Sequence, residues 1–344
     1  MRILLHAPDL ISRDGDAGGV RKELLLRKAA AESAATEVVL FDRWQPLEMD
    51  DFDIVHTFMP IAGMRPFAEW AMSARCRLVV SPIFDKTYAP AVVAAWSRLT
   101  SVSSRLVSHL GELRWILRRA DGVFARSGHE VTALCSSLGV PRHRIHVVPN
   151  IIEEPDGPVD PQSFRGRYHV EDFALFAGDF SNPRKNISRL IEAAGLLDMP
   201  LLLAGPRRPA AQLRGLAERI ERFPQIRFIG ELSRTELWNA YAAAKVFVLP
   251  SLFEGVGQAA LEAGLMGANV VVTRAGGAPA YFGGDAIYVD PKSVRSIRDG
   301  LRRAWTAPRS TQLQRRLASL FTLANVRDTQ HNAYQKILES TRVE

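Results

Sequence analysis

Short apolar runs of four or five residues recur along the chain, and turn residues bound most of them. Runs of this length between turn signals predict buried strands. In the first half the predicted strands cover residues 2–6, 37–41, 53–56, 77–81, 122–125 and 145–148. In the second half they cover residues 173–177, 201–203, 226–229, 246–249 and 270–273. Stretches with helical spacing separate the strands, and this alternation predicts an α/β protein with parallel sheets covered on both faces.

The pattern divides near its middle. Residues 153–161 are rich in proline, glycine and acidic side chains, which is the composition of a linker. A chain of 344 residues is long enough for two domains with good cores. We therefore predict a first domain over residues 1–150, a linker over 151–171, a second domain over 172–310 and a terminal helical segment over 311–344.

Composition narrows the class of protein. No apolar run reaches the ~18 residues that a membrane span needs, and the apolar start of the chain is too short for a signal peptide. Cys76 and Cys135 have no metal-ligand spacing, so we expect a protein of the reducing cytoplasm. The net charge of +7 fits nucleic acid, anionic lipid or phosphorylated substrates. Because no nucleic-acid motif is found, we expect no nucleic-acid partner.

The stretch from residue 250 to 272 carries the most chemical information. Glu254 lies in a turn after an apolar run, and Glu262 lies about one helical turn inside the following helix pattern. Gly255 and Gly257 leave backbone N–H groups open to an anion at the helix start. Such amides suit a phosphate, and a carboxylate suits the hydroxyl pair of a ribose. On spacing alone, a solvated loop glutamate and a glutamate on a polar helix face remain an alternative.

The same stretch resembles the paired-glutamate motif of the retaining family 4 glycosyltransferases. It has Pro-Ser before the motif, Glu-Gly-x-Gly within it and Glu-Ala eight residues after the first glutamate. The resemblance implies the GT-B fold, with two Rossmann-like domains facing a cleft and the donor on the second domain. It also implies that Glu262 binds ribose and that Glu254 lies near the donor sugar. Gly255, Val256, Gly257 and Gln258 would then contribute donor-binding backbone.

Other loops extend the resemblance. Arg184 and Lys185 follow a strand and Gly178, where two cations would neutralise a departing diphosphate. Many family members carry an arginine where this chain has Asp179, and we expect Arg184 to supply that charge. The resemblance also implies donor contacts at the loops that contain Gly18, Gly19, Gly205 and Gly230. Ile151 and Ala280 replace a glycine and a glutamate common in the family. In that fold the terminal helix crosses back to the first domain.

Three residues of the first half are candidates for the acceptor side. His56 ends a predicted strand, and Asp85 follows another; strand ends of this kind face the ligand crevice. A structural histidine is an equal alternative for His56. Ser127 faces the cleft in the resembled fold, but Glu130 three residues later completes a capping-box pattern, which makes helix capping the safer interpretation.

Residues 90–119 form a long helical pattern that we expect to break near 101–104. The pattern combines arginines with Trp96 and Trp115 and contains one acidic residue, Glu112. This composition suits an interfacial helix on an anionic membrane, and a covering helix with buried tryptophans is the alternative. The protein would then be cytoplasmic and associated with the inner face of the cell membrane.

These observations predict a retaining glycosyltransferase that moves a hexose from a nucleoside diphosphate sugar to a hydroxyl of a glycan or glycolipid. The strings DIVHTF and VVSPIFD look like those of bacterial enzymes that build cell-surface polysaccharides. We expect no metal, because cations and amides supply the positive charge, and we interpret the Asp-x-Asp pairs at 14–16 and 51–53 as solvated acids. A nucleotide-sugar epimerase of the same architecture and a catalytically silent nucleotide- or carbohydrate-binding protein remain alternatives. The donor base and sugar, the acceptor, the linkage and the oligomeric state stay open.

Overall fold

The computed structural model describes residues 1–8, 18–85, 90–102, 108–206, 210–309 and 311–341. The chain forms two compact units. The first contains Met1–Ile151 and Leu323–Glu344, and the second contains Ile152–Thr322.

The first unit is built on a parallel sheet of six strands in the order β2-β1-β3-β4-β5-β6. The strands are β1 Arg2–His6, β2 Glu37–Leu40, β3 Ile54–Phe58, β4 Arg77–Ser81, β5 Gly122–Ala125 and β6 Ile145–Val147. The helices are α1 Gly18–Ala31, α2 Arg65–Ser73, α3 Pro90–Val102, α4 His109–Arg119 and α5 Gly128–Ala133, and the terminal helix α14 Leu323–Glu339. The strands β3 and β5 are buried at every position, as expected where helices cover both faces of a sheet.

The second unit repeats this architecture, with the strand order β12-β11-β10-β7-β8-β9. The strands are β7 Ala174–Ala177, β8 Leu201–Ala204, β9 Ile226–Gly230, β10 Val246–Leu249, β11 Asn269–Thr273 and β12 Ile287–Val289. The helices are α6 Pro161–Tyr168, α7 Ile187–Gly195, α8 Ala210–Glu221, α9 Arg234–Ala243, α10 Gln258–Leu265, α11 Ala278–Phe282, α12 Val294–Thr306 and α13 Thr311–Phe321. The strand order reverses between β7 and β10, which are direct neighbours in the sheet. Open sheets of this kind bind ligands at the carboxyl ends of strands beside such a reversal.

The terminal segment divides between the units. The segment predicted to be helical over 311–344 contains two helices: α13 belongs to the second unit, and the terminal helix α14 belongs to the first, where it was expected. On α14, Gln330 donates to the carbonyl of Arg27 at 2.9 Å, and Arg27 donates to the Gln330 amide oxygen at 3.2 Å. The buried side chains of α14, such as Val326 and Tyr334, join the core of the first unit.

Two further elements differ from prediction. The predicted linker over 151–171 contains α6, whose first turn is capped by Asp160 and whose Phe164 is 3% exposed in the core of the second unit. A linker composition indicates where a domain ends, but the segment that follows docks through Phe164, with Val159, Tyr168 and Val170 partly buried against the same core. The long pattern over 90–119, by contrast, divides as predicted, with α3 ending at Val102 and α4 beginning at His109. Strand β12 was not predicted.

Candidate active site

The loops that follow β7 and β10 are joined at the strand-order reversal. Asn182 accepts a hydrogen bond from the Arg184 amide at 3.0 Å and so closes the turn that carries Arg184 and Lys185. The Leu252 amide donates to the Arg184 carbonyl at 2.8 Å. Asn186, which is buried in the left-handed conformation, donates to the Pro250 carbonyl at 2.9 Å. These bonds fix the cationic turn against the loop that carries Glu254.

Lys185 and Glu254 form an ion pair at this junction. Lys185 Nζ lies 2.7 Å from Glu254 Oε1, and the Ser251 hydroxyl donates to the same oxygen at 2.6 Å. Glu254 is 4% exposed and Ser251 is fully buried. A buried carboxylate needs such partners, because an uncompensated charge away from water costs several kcal/mol. Lysine carries three N–H donors, so its bond to Glu254 leaves charge and donors to serve an anion.

The backbone of Glu254 is held as firmly as its side chain. Its amide donates to the Ala275 carbonyl at 3.0 Å, and its carbonyl accepts from the Gly277 amide at 2.9 Å. Gly276 lies beside it with φ of +109°, and a Cβ at this position would stand 2.0 Å from the Glu254 carbonyl oxygen. A glycine is therefore required here both for its conformation and for the close approach.

Helix α10 begins directly after this loop. Its N-cap is Gly257, with φ of +84°, and no side chain caps the helix. Gly255, Val256 and Gly257 are buried, while Gln258 is partly exposed. The first amides of a helix have no partner within it, and the helix dipole favours an anion at this end. The predicted phosphate-binding backbone is therefore placed beside the Lys185–Glu254 pair.

Glu262 lies in the body of α10 and is 3% exposed. Arg234 donates a bidentate pair of hydrogen bonds to its carboxylate, with Nη1 3.0 Å from Oε2 and Nη2 3.1 Å from Oε1. Arg234 also pairs with Glu153. Burial acts to lower the pKa of Arg234, but its hydrogen bond to Glu262 and the charges of Glu262 and Glu153 outweigh that effect, so its pKa is raised. Burial and the charge of Glu262 raise the pKa of Tyr241 well above its usual value, and Tyr241 hydrogen-bonds to Glu262.

The glycines at the carboxyl ends of β7, β8 and β9 lie side by side. The Gly178 amide donates to the Ala204 carbonyl at 3.0 Å, and the Gly205 amide donates to the Gly230 carbonyl at 2.9 Å. A Cβ on Gly205 would stand 2.1 Å from the Gly178 carbonyl oxygen. Asp179 accepts from the amide and hydroxyl of Ser181 and so closes its own turn. The glycine loops predicted to flank the nucleotide thus share one edge of the sheet, and Asp179 has a local structural role.

The residues predicted for the acceptor side are placed differently. His56 is fully buried, with Nδ1 2.7 Å from the Tyr334 hydroxyl and Nε2 2.8 Å from the Ser81 hydroxyl. Burial and the charge of Arg27 lower its pKa well below the usual value, so the imidazole is neutral. Both ring nitrogens are engaged inside the core, and the structural alternative is the correct one for His56.

Ser127 caps α5 by accepting from the Glu130 amide at 3.3 Å, and it is 2% exposed. Capping is therefore its role here.

Asp85 is 24% exposed and pairs with Arg126 at 2.5 Å. Arg126 also reaches Glu130 at 2.9 Å, and these two acids outweigh the effect of burial and raise its pKa. Asp85 is thus the predicted acceptor-side residue whose side chain is both held in place and open to solvent.

Gly18 and Gly19, predicted to lie in a loop, form the first turn of α1. The preceding loop and the pair Asp14 and Asp16 lie largely outside the described residues, so donor contact at these glycines stays a prediction. Within the described parts of the chain, no group of three or more His, Cys, Asp or Glu side chains is placed to hold a metal ion.

Sequence reasoning missed several residues that complete the site in the second unit. Ser251 belongs to the Pro-Ser that precedes the paired glutamates, and Asn186 directly follows Lys185, but their spacing gives no hint of their contacts. Arg234 and Tyr241 lie 28 and 21 positions before Glu262 in the sequence, and Glu153 lies farther away. Nothing in their spacing signals that they meet, because the fold brings α9 and α10 together.

Comparison with known proteins supplies the family. The model named Glycosyl transferases group 1 matches residues 164–319, and the model named Glycosyl transferase 4-like domain matches residues 2–151. Between them the two models span most of the chain. The chain belongs to the glycosyltransferases of this family. The paired-glutamate resemblance and the prediction of bacterial polysaccharide-type relatives are thereby confirmed.

Individual relatives agree with this assignment. The chain is 38% identical over 132 residues to "O-antigen chain mannosyltransferase B" of Escherichia coli, which covers 36% of this chain and 34% of that protein. It is 25% identical over 304 residues to "MMP alpha-(1->4)-mannosyltransferase" of Mycolicibacterium hassiacum, covering 84% of this chain and 71% of that protein. The chain thus spans about a third of the length of the first relative.

The fold is matched by "Sucrose-phosphate synthase (tll1590) from Thermosynechococcus elongatus". The TM-score is 0.77 at 17% identity, with 99% of this chain and 100% of that chain covered. At this identity the match concerns the fold alone, and it agrees with the GT-B class predicted from the sequence. No helix within the described residues is long and apolar enough to cross a membrane.

Proposed function

We propose that the protein transfers a hexose from a nucleoside diphosphate sugar to a hydroxyl of a glycan or glycolipid, with retention at the anomeric carbon. The observation that carries this proposal is the convergence of Lys185, Ser251 and Glu254 beside the N-terminus of α10, which no side chain caps, at the strand-order reversal of the second sheet. Cation, amides and carboxylate together suit a diphosphate that carries a sugar.

In this mechanism Lys185 and Arg184 neutralise the diphosphate as it leaves, with the amides around Gly257 and Gln258. Glu262 holds the ribose hydroxyls. Glu254 orients the donor sugar through Oε2, because both of its side-chain hydrogen bonds to Lys185 and Ser251 go to Oε1. A phosphate oxygen of the leaving group accepts the acceptor proton, so no separate side-chain base is required.

The mechanism includes no metal, because the side-chain cations and helix amides supply the positive charge. Two relatives are named as mannosyltransferases, so a nucleoside diphosphate mannose is the first donor to test. Full activity in EDTA is expected. Activity that disappears in EDTA and returns with Mg²⁺ would contradict the metal-free mechanism.

The first experiment is isothermal titration with UDP and GDP, followed by release of nucleotide from candidate donors. Glu262→Ala is expected to abolish nucleotide binding while the circular dichroism spectrum stays that of the folded protein. Glu192→Ala, an exposed glutamate on α7 of the same unit, is the matched control and should bind as wild type. Unchanged affinity in Glu262→Ala would remove Glu262 from the site. Binding without turnover towards any acceptor would favour the silent-binder alternative.

We also propose that the protein works at the cytoplasmic face of an anionic membrane. Along α3, Val92, Trp96 and Leu99 are 61%, 55% and 62% exposed, and the exposed Arg98 lies among them. Large apolar side chains beside a cation suit the interface of an anionic bilayer. Helix α4 is less suited to contact with a membrane. Its Trp115 is partly buried between Arg65 and Arg119, and its Arg114 is buried against the Leu138 carbonyl.

Sedimentation with vesicles tests this surface. Trp96→Ser should lower binding to vesicles that contain anionic lipid several-fold, because one partly buried tryptophan contributes about 1–2 kcal/mol to such binding. Trp44→Ser is the control, since Trp44 is 83% exposed in another part of the same unit. Equal binding by the two variants would contradict an interfacial role for α3.

A further inference from the structure

The carboxylate proposed to hold the ribose already has strong partners within the protein. Arg234 donates to both oxygens of Glu262, at 3.0 Å and 3.1 Å, in the forked geometry that arginine adopts on carboxylates. Tyr241, which is 1% exposed, adds a third hydrogen bond. An ionised carboxylate offers about four acceptor positions. At least three of them are therefore in use, and a ribose with two hydroxyl donors needs two.

Arg234 and a ribose would also compete for the same acceptor positions on Glu262. A forked guanidinium occupies the acceptor positions that face outward between the two oxygens. A ribose diol that binds one hydroxyl to each oxygen uses those same positions. Full recognition of the ribose thus requires that one of the present donors yields. The buried Tyr241 has no exposed route away from Glu262, whereas the Arg234 side chain is 38% exposed.

Arg234 also has other partners that would hold it if it leaves Glu262. It pairs with Glu153, whose side chain is 26% exposed, and its guanidinium lies 4.3 Å from the centre of the Trp238 ring. An arginine on an aromatic face with a second carboxylate keeps favourable contacts when the first is given up. The charge of the arginine therefore remains compensated in both positions.

We propose that Arg234 occupies Glu262 until the nucleotide binds and that it then yields at least one of its two hydrogen bonds to a ribose hydroxyl while keeping Glu153 and Trp238. Arg234 is thus a positioning residue of the donor site. It holds the buried carboxylate in a fixed orientation through two hydrogen bonds, and its competition with the ribose sets the affinity for the nucleotide. The inference rests on the proposed ribose-binding role of Glu262.

The test compares titrations of UDP and GDP, and of their 2′-deoxy forms, with wild type, Arg234→Ala and Glu153→Gln. Arg234→Ala should tighten binding of the ribonucleotide by about three- to tenfold, because the hydroxyl pair no longer competes with a charged donor. The preference for ribose over deoxyribose should rise in the same variant. Glu153→Gln should weaken binding, because Arg234 then has Glu262 as its main carboxylate partner.

The deoxyribose comparison separates this mechanism from a general charge effect, because both nucleotides carry the same phosphates. Loss of a cation by itself would weaken an anionic ligand, which is the opposite of the expected change. Weaker or unchanged ribonucleotide binding in Arg234→Ala, with an unchanged ribose preference, would overturn the inference. If that variant does not fold, Glu153→Gln decides, and tighter or unchanged binding there would overturn it.

The proposed function can fail separately. Wild type that binds neither UDP nor GDP would overturn the nucleotide-sugar site and this inference with it. Wild type that binds nucleotide and loses that binding in Glu262→Ala would uphold the site whatever Arg234→Ala does.

Discussion

The carboxyl ends of the two sheets use their polar residues in different ways. In the second unit, Lys185 and Glu254 form a partly open ion pair beside a helix end without a side-chain cap. In the first unit, His56 does not end its strand as predicted: it is the middle residue of β3 and lies buried in the core, while Ser127 caps a helix. Both sheets have the same parallel architecture, so architecture alone does not create a charged site.

The difference has a physical origin. In the second unit, charge can be kept at the carboxyl end of the sheet because Glu254 and Glu262 each have a cation and a neutral donor that compensate the burial of the carboxylate. In the first unit the imidazoles of His6 and His56 are buried, their hydrogen bonds within the described residues go to hydroxyl groups, and burial keeps them neutral. Among the described residues at the carboxyl end of that unit's sheet, Asp85 with Arg126 comes nearest to the arrangement of the second unit.

The largest expected effect is the loss of turnover when the lysine of the charged site in the second unit is removed. Lys185→Ala should lower kcat by about 10²- to 10³-fold, the loss typical when one donor to a developing negative charge is removed. Steady-state kinetics with a donor identified by titration would measure it. Lys245→Ala, which removes a surface partner of Asp172 in the same unit, is the control and should keep wild-type kcat. Wild-type turnover in Lys185→Ala would remove the lysine from the mechanism.

The next effect concerns the neutral edge of the first unit. Burial lowers the pKa of His6 to about 4, below the value of about 6.5 in the unfolded chain. The unfolded chain therefore binds protons that the folded unit does not, so stability is full above pH 6.5 and falls as the pH drops towards 4. Between pH 7.5 and 5, His6 alone should cost about 2 kcal/mol of unfolding free energy.

Urea denaturation at several pH values would measure this loss. His6→Asn keeps a hydrogen-bonding group near Thr57 and should show a smaller loss over the same range. The unfolding transition of the first unit should carry the effect, because His6 and His56 both belong to it. An equal pH dependence in wild type and His6→Asn would contradict a neutral, buried imidazole at position 6.

The smallest expected effect is a loss of stability in Ser127→Ala, which tests whether Ser127 caps a helix or serves the acceptor side. Ser127→Ala should cost about 1 kcal/mol of stability through loss of the helix cap and leave turnover unchanged. Ser108→Ala, which removes the cap of α4, is the matched control and should show a similar loss. Thermal unfolding and steady-state kinetics would separate the two roles. A fall in activity for Ser127→Ala beyond that of the control would return Ser127 to the acceptor side.

Much of the fold could be predicted from the sequence because its strands are buried on both faces. A continuous apolar run such as residues 246–249 is visible without any knowledge of its neighbours, and β10 matches it at both ends. Strand β12 was missed because it is only three residues long, too short to form the kind of apolar run that marks the other strands, and two of its residues are only partly buried. The predicted linker concealed α6, since the few apolar side chains that dock it, chiefly Phe164, leave little trace in composition.

For the site, the sequence by itself determined which chemistry is present in the second unit. The paired glutamates, the cationic turn and the glycines are local motifs, and each needs only its own neighbours to be recognised. What only the tertiary structure decided is which of these groups is free to act. Burial and long-range hydrogen bonds assigned His56 and Ser127 to the scaffold, joined Lys185 to Glu254 and placed Arg234 on Glu262. A side chain's partners depend on which distant segments pack beside it, and residue spacing along the chain does not record that packing.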